Sequence, residues 1–259
     1  MRLSPSNILI TGASSGIGRA LALGYAKPGV TLGLVGRNEI RLAETAKAVE
    51  ARGATACVMI VDVKDTRAAA GAIARFDAAA PIDLAIAAAG LSTGEQPDGE
   101  PEPPEAATEI LTVNVLGTAN TVLPIIAAMR LRGRGQIAIL SSLAARPALP
   151  FTPAYSASKA AIETYALGLR GAYARYGVAV CVISPGYVDT PMGSKVVGRR
   201  PLLISAERAA QIIQSGLSRN AARIAFPKVL DLACAAAAAL PYSLQHLALS
   251  LLAFRVKPD

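Results

Sequence analysis

The sequence predicts an α/β protein built on one doubly wound parallel sheet of about seven strands, flanked by helices. Three observations carry that prediction. Short apolar runs alternate with stretches of helical periodicity along most of the chain. The first run, 7–11, enters the glycine-rich turn Thr11-Gly12-Ala13-Ser14-Ser15-Gly16-Ile17-Gly18, which opens a helix. The length, 259 residues, fits one large α/β domain better than two small ones. Right-handed crossovers then leave the doubly wound arrangement as the natural topology.

The elements follow in order. After the glycine turn a helix runs over 16–26 and stops at Pro28-Gly29. The second strand is 31–35. Residues 38–51 carry Ile40, Leu42, Ala43, Ala46 and Val49, mostly at helical spacing. The third strand, 55–61, closes at Asp62, and a helix covers 65–79. The fourth strand is 83–88. Residues 91–105 are rich in Gly, Pro and Glu and read as a surface loop. A long helix spans 106–132, ending near Arg130, Arg132 and Arg134, where cations favour the helix dipole. The fifth strand is 136–141, a helix holds Tyr155 within 153–175, and the sixth strand is 178–184. A helix over 206–219 and a seventh strand at 223–226 complete the sheet. Residues 1–227 form the main domain, and 228–259 a C-terminal helical extension of it.

Two local patterns carry chemistry. Tyr155 and Lys159 lie four apart in Tyr155-Ser156-Ala157-Ser158-Lys159, so they share one helical face. An ammonium beside a phenol favours the phenolate, and a phenol tuned downward can exchange a proton with a carbonyl or alcohol oxygen. The glycine turn suits a dinucleotide pyrophosphate: Gly12 lets the chain leave the strand sharply, and Gly16 and Gly18 let backbone come close to phosphate and helix close to sheet. Ser14, Ser15 and Ile17 supply neighbouring donors. A proton donor beside a dinucleotide site means hydride chemistry.

Composition narrows the classes. Apolar residues make up 53% and much of that is alanine, which suits helices packed closely on a sheet. The net charge of +8 reads as a soluble basic surface, and no basic helix or aromatic-lined strand accompanies it to suggest nucleic acid. Cys57, Cys181 and Cys234 are odd in number and widely spaced. Cys57 and Cys181 fall in apolar strands and read as buried thiols of a reducing cytoplasm. His246 has no partners at metal-ligand spacing, so no metal site is expected. The N-terminus lacks a charged start followed by an apolar run, so no secretory signal is expected.

These motifs together resemble the short-chain dehydrogenase/reductase family, of classical type, over about residues 5–227. The TGxxxGxG pattern is met by Gly12, Gly16 and Gly18, and the YxxxK pattern by Tyr155 and Lys159. The family's serine, thirteen residues before the tyrosine, falls on Ser142 rather than Ser141, and its helix asparagine on Asn114. The resemblance implies a Rossmann-type fold and a catalytic set of Asn114, Ser142, Tyr155 and Lys159. In it Tyr155 gives the proton, and Lys159 tunes it and bonds the nicotinamide ribose. Ser142 holds the substrate oxygen, and Asn114 holds a water leading from Lys159 to solvent. Asp62 and Val63 would line the adenine, and Gly90 would meet the ribose. Pro185, Gly186, Val188 and Thr190 would hold the nicotinamide. Relatives carry asparagines where this chain has Ala87 and Ala88, which questions local stability more than catalysis.

The end of the second strand speaks to cofactor choice. An acid there would bond the ribose and repel a 2′-phosphate, whereas this chain has Gly36-Arg37-Asn38. Arg37 suits a phosphate, so NADP(H) is expected, with NAD(H) as the alternative. Residues 186–208 read as a mobile lid over the substrate, with Lys195, Arg199 and Arg200 beside the pocket. From Leu232 to Phe254 there is no charged residue. Pro241 breaks that run, and Leu244, Leu247, Ala248, Leu251 and Leu252 then form one stripe. The tail is expected to close the substrate pocket, form a subunit interface or lie on a membrane. The reading is an NADP(H)-dependent reductase or dehydrogenase of a small hydrophobic carbonyl or alcohol, a cytoplasmic homodimer or tetramer. A membrane-lying keto-lipid or 3-oxoacyl reductase at the inner face of a membrane is one rival. A dinucleotide-sensing regulator without turnover is the other.

Overall fold

The structure is a computed structural model that describes residues 4–94, 100–241, 243–245 and 255–256. Its frame is β1 (Asn7–Thr11), α1 (Gly16–Tyr25), β2 (Thr31–Gly36), α2 (Glu39–Glu50), β3 (Thr55–Ile60), α3 (Thr66–Ala79), β4 (Leu84–Ala87), α4 (Pro104–Leu111) and α5 (Gly117–Arg132). It continues with β5 (Gly135–Leu140), α6 (Pro153–Tyr173), β6 (Val178–Pro185), β7 (Val188–Asp189), β8 (Val196–Val197) and β9 (Ile204–Ser205). The chain ends with α7 (Ala206–Ser218), β10 (Arg223–Phe226), α8 (Lys228–Ala238) and β11 (Arg255–Val256).

Seven strands form one sheet in the order β10-β6-β5-β4-β1-β2-β3, and every pairing in it is parallel. The order reverses between β1 and β4, and a crevice opens there at the carboxyl ends of the strands. Both faces are buried, with side chains alternating at the period of two. Ile8 and Ile10 of β1 enter one core with Leu21, Ala209 and Ile213, and Leu9 enters the other with Phe76, Ile125 and Ile162. Local chemistry fixes the helix starts. Asp65 and Ser205 each accept from a backbone N–H three residues on, which caps α3 and α7. Arg132 pairs with Asp77, and the Arg130 guanidinium stacks 4.4 Å over the Tyr176 ring, so these cations serve the fold.

The structure departs from the sequence reading in four places. The long helix begins at Pro104 and is interrupted by a π-helical turn over Thr112–Leu116. Cys57 is exposed, because β3 is the sheet's edge and has a neighbour on one side only, whereas Cys181 is buried and pushed up to about 12 by desolvation. The lid contains short strands: β7 pairs with β9, and β8 pairs antiparallel with β11 from the chain's end. The tail reading falls partly outside the described residues, since His246, Leu247, Ala248, Leu251 and Leu252 are not among them. Of the described tail, α8 has no fully buried residue and Val229 and Leu232 are 74% and 73% exposed, whereas Asp231 is largely buried and Gln245, further on, is buried.

Candidate active site

The crevice at the switch between β1 and β4 is a cleft of about 510 Å³. The glycine turn forms its floor. Gly12 and Gly16 have φ of +69° and +52°, in the left-handed region that favours glycine. A Cβ on Gly18 would stand 2.3 Å from the Gly12 carbonyl oxygen, so only glycine lets α1 start this close to β1. Ser14, Ser15 and Ile17 stand on the same wall. The Thr190 methyl packs 3.2 Å from where a Gly16 Cβ would be, which brings the segment after β7 against the turn. Thr190 Oγ1 accepts from the Gly193 N–H at 2.9 Å and so fixes the lid's first bend.

At the outer end of the cleft stand Arg37, Asn38, Asp62 and Val63. Arg37 is half-exposed and lies 3.6 Å from Asp62, which also has Lys64 at 3.8 Å. Asn38 caps α2: its Oδ1 accepts from the Arg41 N–H at 2.9 Å. Arg41 lines the same end and was missed in the sequence, although its place four residues after Arg37, on the first turn of α2, was the available signal. Two arginines therefore line this end of the cleft.

Past the inner end of the cleft, behind Gly90, Leu91 and Leu140, the tyrosine, lysine, serine and asparagine come together although 114 and 159 are far apart in the chain; none of the four lines the cleft itself. Tyr155 is hydrogen-bonded to Ser142. Lys159 Nζ lies 5.6 Å from the Tyr155 ring centre and donates to the Leu140 carbonyl at 2.9 Å. Ser142 Oγ accepts from the Ala144 N–H, which pins the 3₁₀ turn Leu143–Ala145. Ser141, by contrast, points away and donates to the Lys159 carbonyl. Asn114 is fully buried in the π turn, where its side chain exchanges two hydrogen bonds with Leu91 and donates to Ser158 Oγ. π turns recur at functional sites. Gly90 is the join between this group and the cleft: a Cβ there would lie 3.1 Å from Asn114 Oδ1 and 3.5 Å from Lys159 Nζ.

Electrostatics here correct one expectation. Burial pushes the Tyr155 phenol above its ordinary value, and the Ser142 hydrogen bond only partly offsets this. Burial also brings Lys159 down to about 8, so it holds its proton at neutral pH and loses it as the pH passes about 8.

Five expected cofactor residues do not line the cleft: Tyr155 and Lys159, and three that sit behind its wall. Val188 is buried in the core, and Pro185 ends β6 with its carbonyl facing Ser142 Oγ at 3.5 Å. Gly186 donates to the Phe226 carbonyl at 2.7 Å and is hemmed by Leu230, Pro227 and Leu143. The alanines after β4 are tied by another residue: Thr11 Oγ1 accepts from the Ala88 and Ala89 N–H groups, joining the ends of β1 and β4. No group of three or more His, Cys, Asp or Glu side chains able to hold a metal occurs among the described residues.

The family model for short chain dehydrogenase matches residues 6–200. This chain belongs to the short-chain dehydrogenase family. It is an oxidoreductase of the CH–OH/C=O couple that works with a nicotinamide dinucleotide. An oxidoreductase of Myxococcus xanthus is 34% identical over 92% of this chain and 94% of its own length. The solved short chain dehydrogenase of Mycobacterium paratuberculosis bound to NAD superposes with a TM-score of 0.77 at 25% identity, covering 87% of this chain and 97% of that one. A 3-oxoacyl-[acyl-carrier protein] reductase of Brucella melitensis gives 0.73 at 26% identity, over 85% and 89%. The residues present fit a dinucleotide: the glycine floor leaves room for a pyrophosphate that a side chain at Gly18 would disturb, and helix α1 points its N-terminus at that room.

Proposed function

We propose that this short-chain dehydrogenase is an NADP(H)-dependent carbonyl reductase or secondary-alcohol dehydrogenase of a hydrophobic substrate, with Tyr155 as the proton-transferring group. The observation that carries this reading is the hydrogen-bonded Tyr155–Ser142 pair beside Lys159, joined through Gly90 to a cleft whose far end holds Arg37 and Arg41. Bound in the cleft, the nicotinamide would supply a hydride to a carbonyl carbon, or take one from a carbinol. Tyr155 Oη gives its proton to the carbonyl oxygen in reduction and takes it back in oxidation. Ser142 Oγ holds that same oxygen. The Lys159 ammonium keeps positive charge near the phenolate that is left. Asn114, bonded to both Leu91 and Ser158, holds the walls around Lys159 in place.

Arg37 and Arg41 favour the 2′-phosphate, because a guanidinium binds phosphate through charge-assisted hydrogen bonds. Arg37 is half-exposed and already faces Asp62, so its share is modest. Arg37→Ala is expected to weaken NADPH binding by about tenfold and to leave NADH within about twofold, with Arg41→Ala acting in the same sense. Fluorescence titration of both cofactors checks this. A wild type that prefers NADH would remove the NADP(H) reading.

The exposed Leu116 at the end of the π turn and Leu123 on α5, together with the open surface at Gly168 and Gly171 on α6, support a homodimer or tetramer. A cytoplasmic enzyme is the working assignment. The helical stretch Pro104–Arg132 is long and apolar enough to cross a membrane, but half of its apolar window is buried, as in a core helix.

A second reading is favoured by α8. Its Val229 and Leu232 are exposed, with Lys228 beside them, and Leu240 and Leu244 beyond its end are exposed too. This face suits peripheral contact with an anionic lipid surface and a keto-lipid or 3-oxoacyl substrate. Replacing Val229 and Leu232 by Glu in the full chain would then abolish sedimentation with phosphatidylserine vesicles and spare reduction of a soluble ketone. A wild type that does not sediment with those vesicles would dispose of it.

A further inference from the structure

Behind the Tyr155 helix lies a cluster of charged side chains that the reaction does not use directly. Arg223, at the start of β10, is its hub. Its Nε lies 2.9 Å from Glu163 Oε1, and its Nη1 contacts both carboxylate oxygens of Asp231, at 2.7 and 2.9 Å. Glu163 also accepts from Ser184 Oγ at 3.0 Å. Asp231 has a second cation, Arg146 Nε at 3.8 Å. The Arg223, Glu163 and Asp231 side chains are 17%, 13% and 16% exposed. Two positive and two negative groups meet here, so the cluster is balanced. Charges this far from water keep their attraction, and loss of one leaves the others uncompensated.

What these residues are attached to gives the cluster its meaning. Glu163 lies one helical turn beyond Lys159 on α6. Ser184 lies just before Pro185, whose carbonyl faces Ser142. Arg146 closes the 3₁₀ turn that Ser142 opens. Asp231 belongs to α8, which packs on β10 and on that same turn. The apolar side of α8 is exposed and contributes no buried residue to the core. Its inward contacts include Asp231, bonded to Arg223 of β10, and Leu230, packed against Gly186 beside Leu143. A helix with so little core packing, held between β10 and the Ser142 turn, acts on that turn.

We propose that Asp231 is a positioning residue: through Arg223 and Arg146 it holds the Ser142 turn in register with the Tyr155–Lys159 helix. This rests on the reading of Tyr155 and Ser142 as the reacting pair. Glu163 fixes the helix side of the link, Arg223 carries it across β10, and Arg146 returns it to the turn. Arg223 Nη2 is already buried without a hydrogen-bond partner among the described residues. Replacing the Asp231 carboxylate by an amide would leave Nη1 one acceptor in place of two and set an N–H donor against it, and the guanidinium would shift to recover partners. Arg146 would lose its counter-charge, and the turn would loosen. Small misplacements of a reacting group cost roughly ten- to a hundredfold in rate.

The test uses the full chain with Asp231→Asn and Asp231→Glu, NADPH and ethyl acetoacetate as the probe ketone, and hydrogen exchange on the same proteins. Asp231→Asn keeps the shape and removes the charge. It is expected to lower kcat/KM by about tenfold or more, with the NADPH dissociation constant within about twofold, because Gly12–Gly18 and Arg37 lie across the cleft. Exchange of the Ala144 amide, which donates to Ser142 Oγ, is expected to rise about tenfold while the amides of β1 and α1 stay unchanged. Asp231→Glu should restore most of both. Unchanged exchange at the turn, or a rise spread evenly over the sheet with no rescue by Glu, would overturn the proposal. If the wild type reduces no ketone, the reading of the reaction fails instead, and the exchange of the turn still decides whether Asp231 holds it.

Discussion

Tyr155→Phe is expected to lower the rate of carbonyl reduction by at least ~10²-fold and to leave NADPH affinity nearly unchanged. The substitution keeps the ring that packs beside Lys159 and removes only the hydroxyl bonded to Ser142. Ser142 keeps its hydroxyl in the variant, but an aliphatic alcohol is a far weaker acid than a phenol, so it is a poor substitute donor. The binding cleft is walled by the glycine turn and α2, away from the Tyr155 hydroxyl, which is why affinity should hold. Steady-state rates and a cofactor titration on the same preparation check both halves. Near-normal turnover in the variant would remove Tyr155 from the mechanism.

Gly18→Ala is expected to cost at least ~10²-fold in NADPH binding. The new Cβ would stand 2.3 Å from the Gly12 oxygen and 2.8 Å from its carbonyl carbon. Both are backbone, so neither side can swing away, and the turn must open where phosphate would lie. Gly36→Ala provides the contrast. It lines the same cleft, yet a Cβ there meets only Leu42 and Ser14 side chains at 3.5–3.6 Å. That variant should bind NADPH within a few-fold of the wild type. Equal losses in the two variants would show that steric closure at Gly18 is not the cause.

The sheet was legible because its signals are local. Apolar runs mark the strands, and Ile8, Leu9 and Ile10 reveal burial on both faces without any knowledge of neighbours. The glycine turn and the Tyr155–Lys159 spacing were legible for the same reason. Strand order is not local, so Cys57 read as buried until β3 proved to be an edge. The π turn around Asn114 depends on one extra residue in the helix register, which periodicity does not resolve. The direction of the Tyr155 shift was misread because spacing places Lys159 nearby but cannot show the burial that raises the phenol. The Arg223 cluster was invisible, since Glu163 and Arg223 are 60 residues apart and meet only across packed elements.

The central claim is that this chain transfers a hydride between a nicotinamide and a carbonyl carbon while Tyr155 supplies the proton. Deuterium-labelled NADPH, incubated with the wild type, with Tyr155→Phe and with ethyl acetoacetate or a panel of hydrophobic ketones, tests it most directly. One deuterium on the new carbinol carbon per NADPH consumed, with formation at least ~10²-fold slower in Tyr155→Phe, is the predicted result. Tight NADPH binding with no label in any product would contradict the account and leave a dinucleotide-sensing protein in its place.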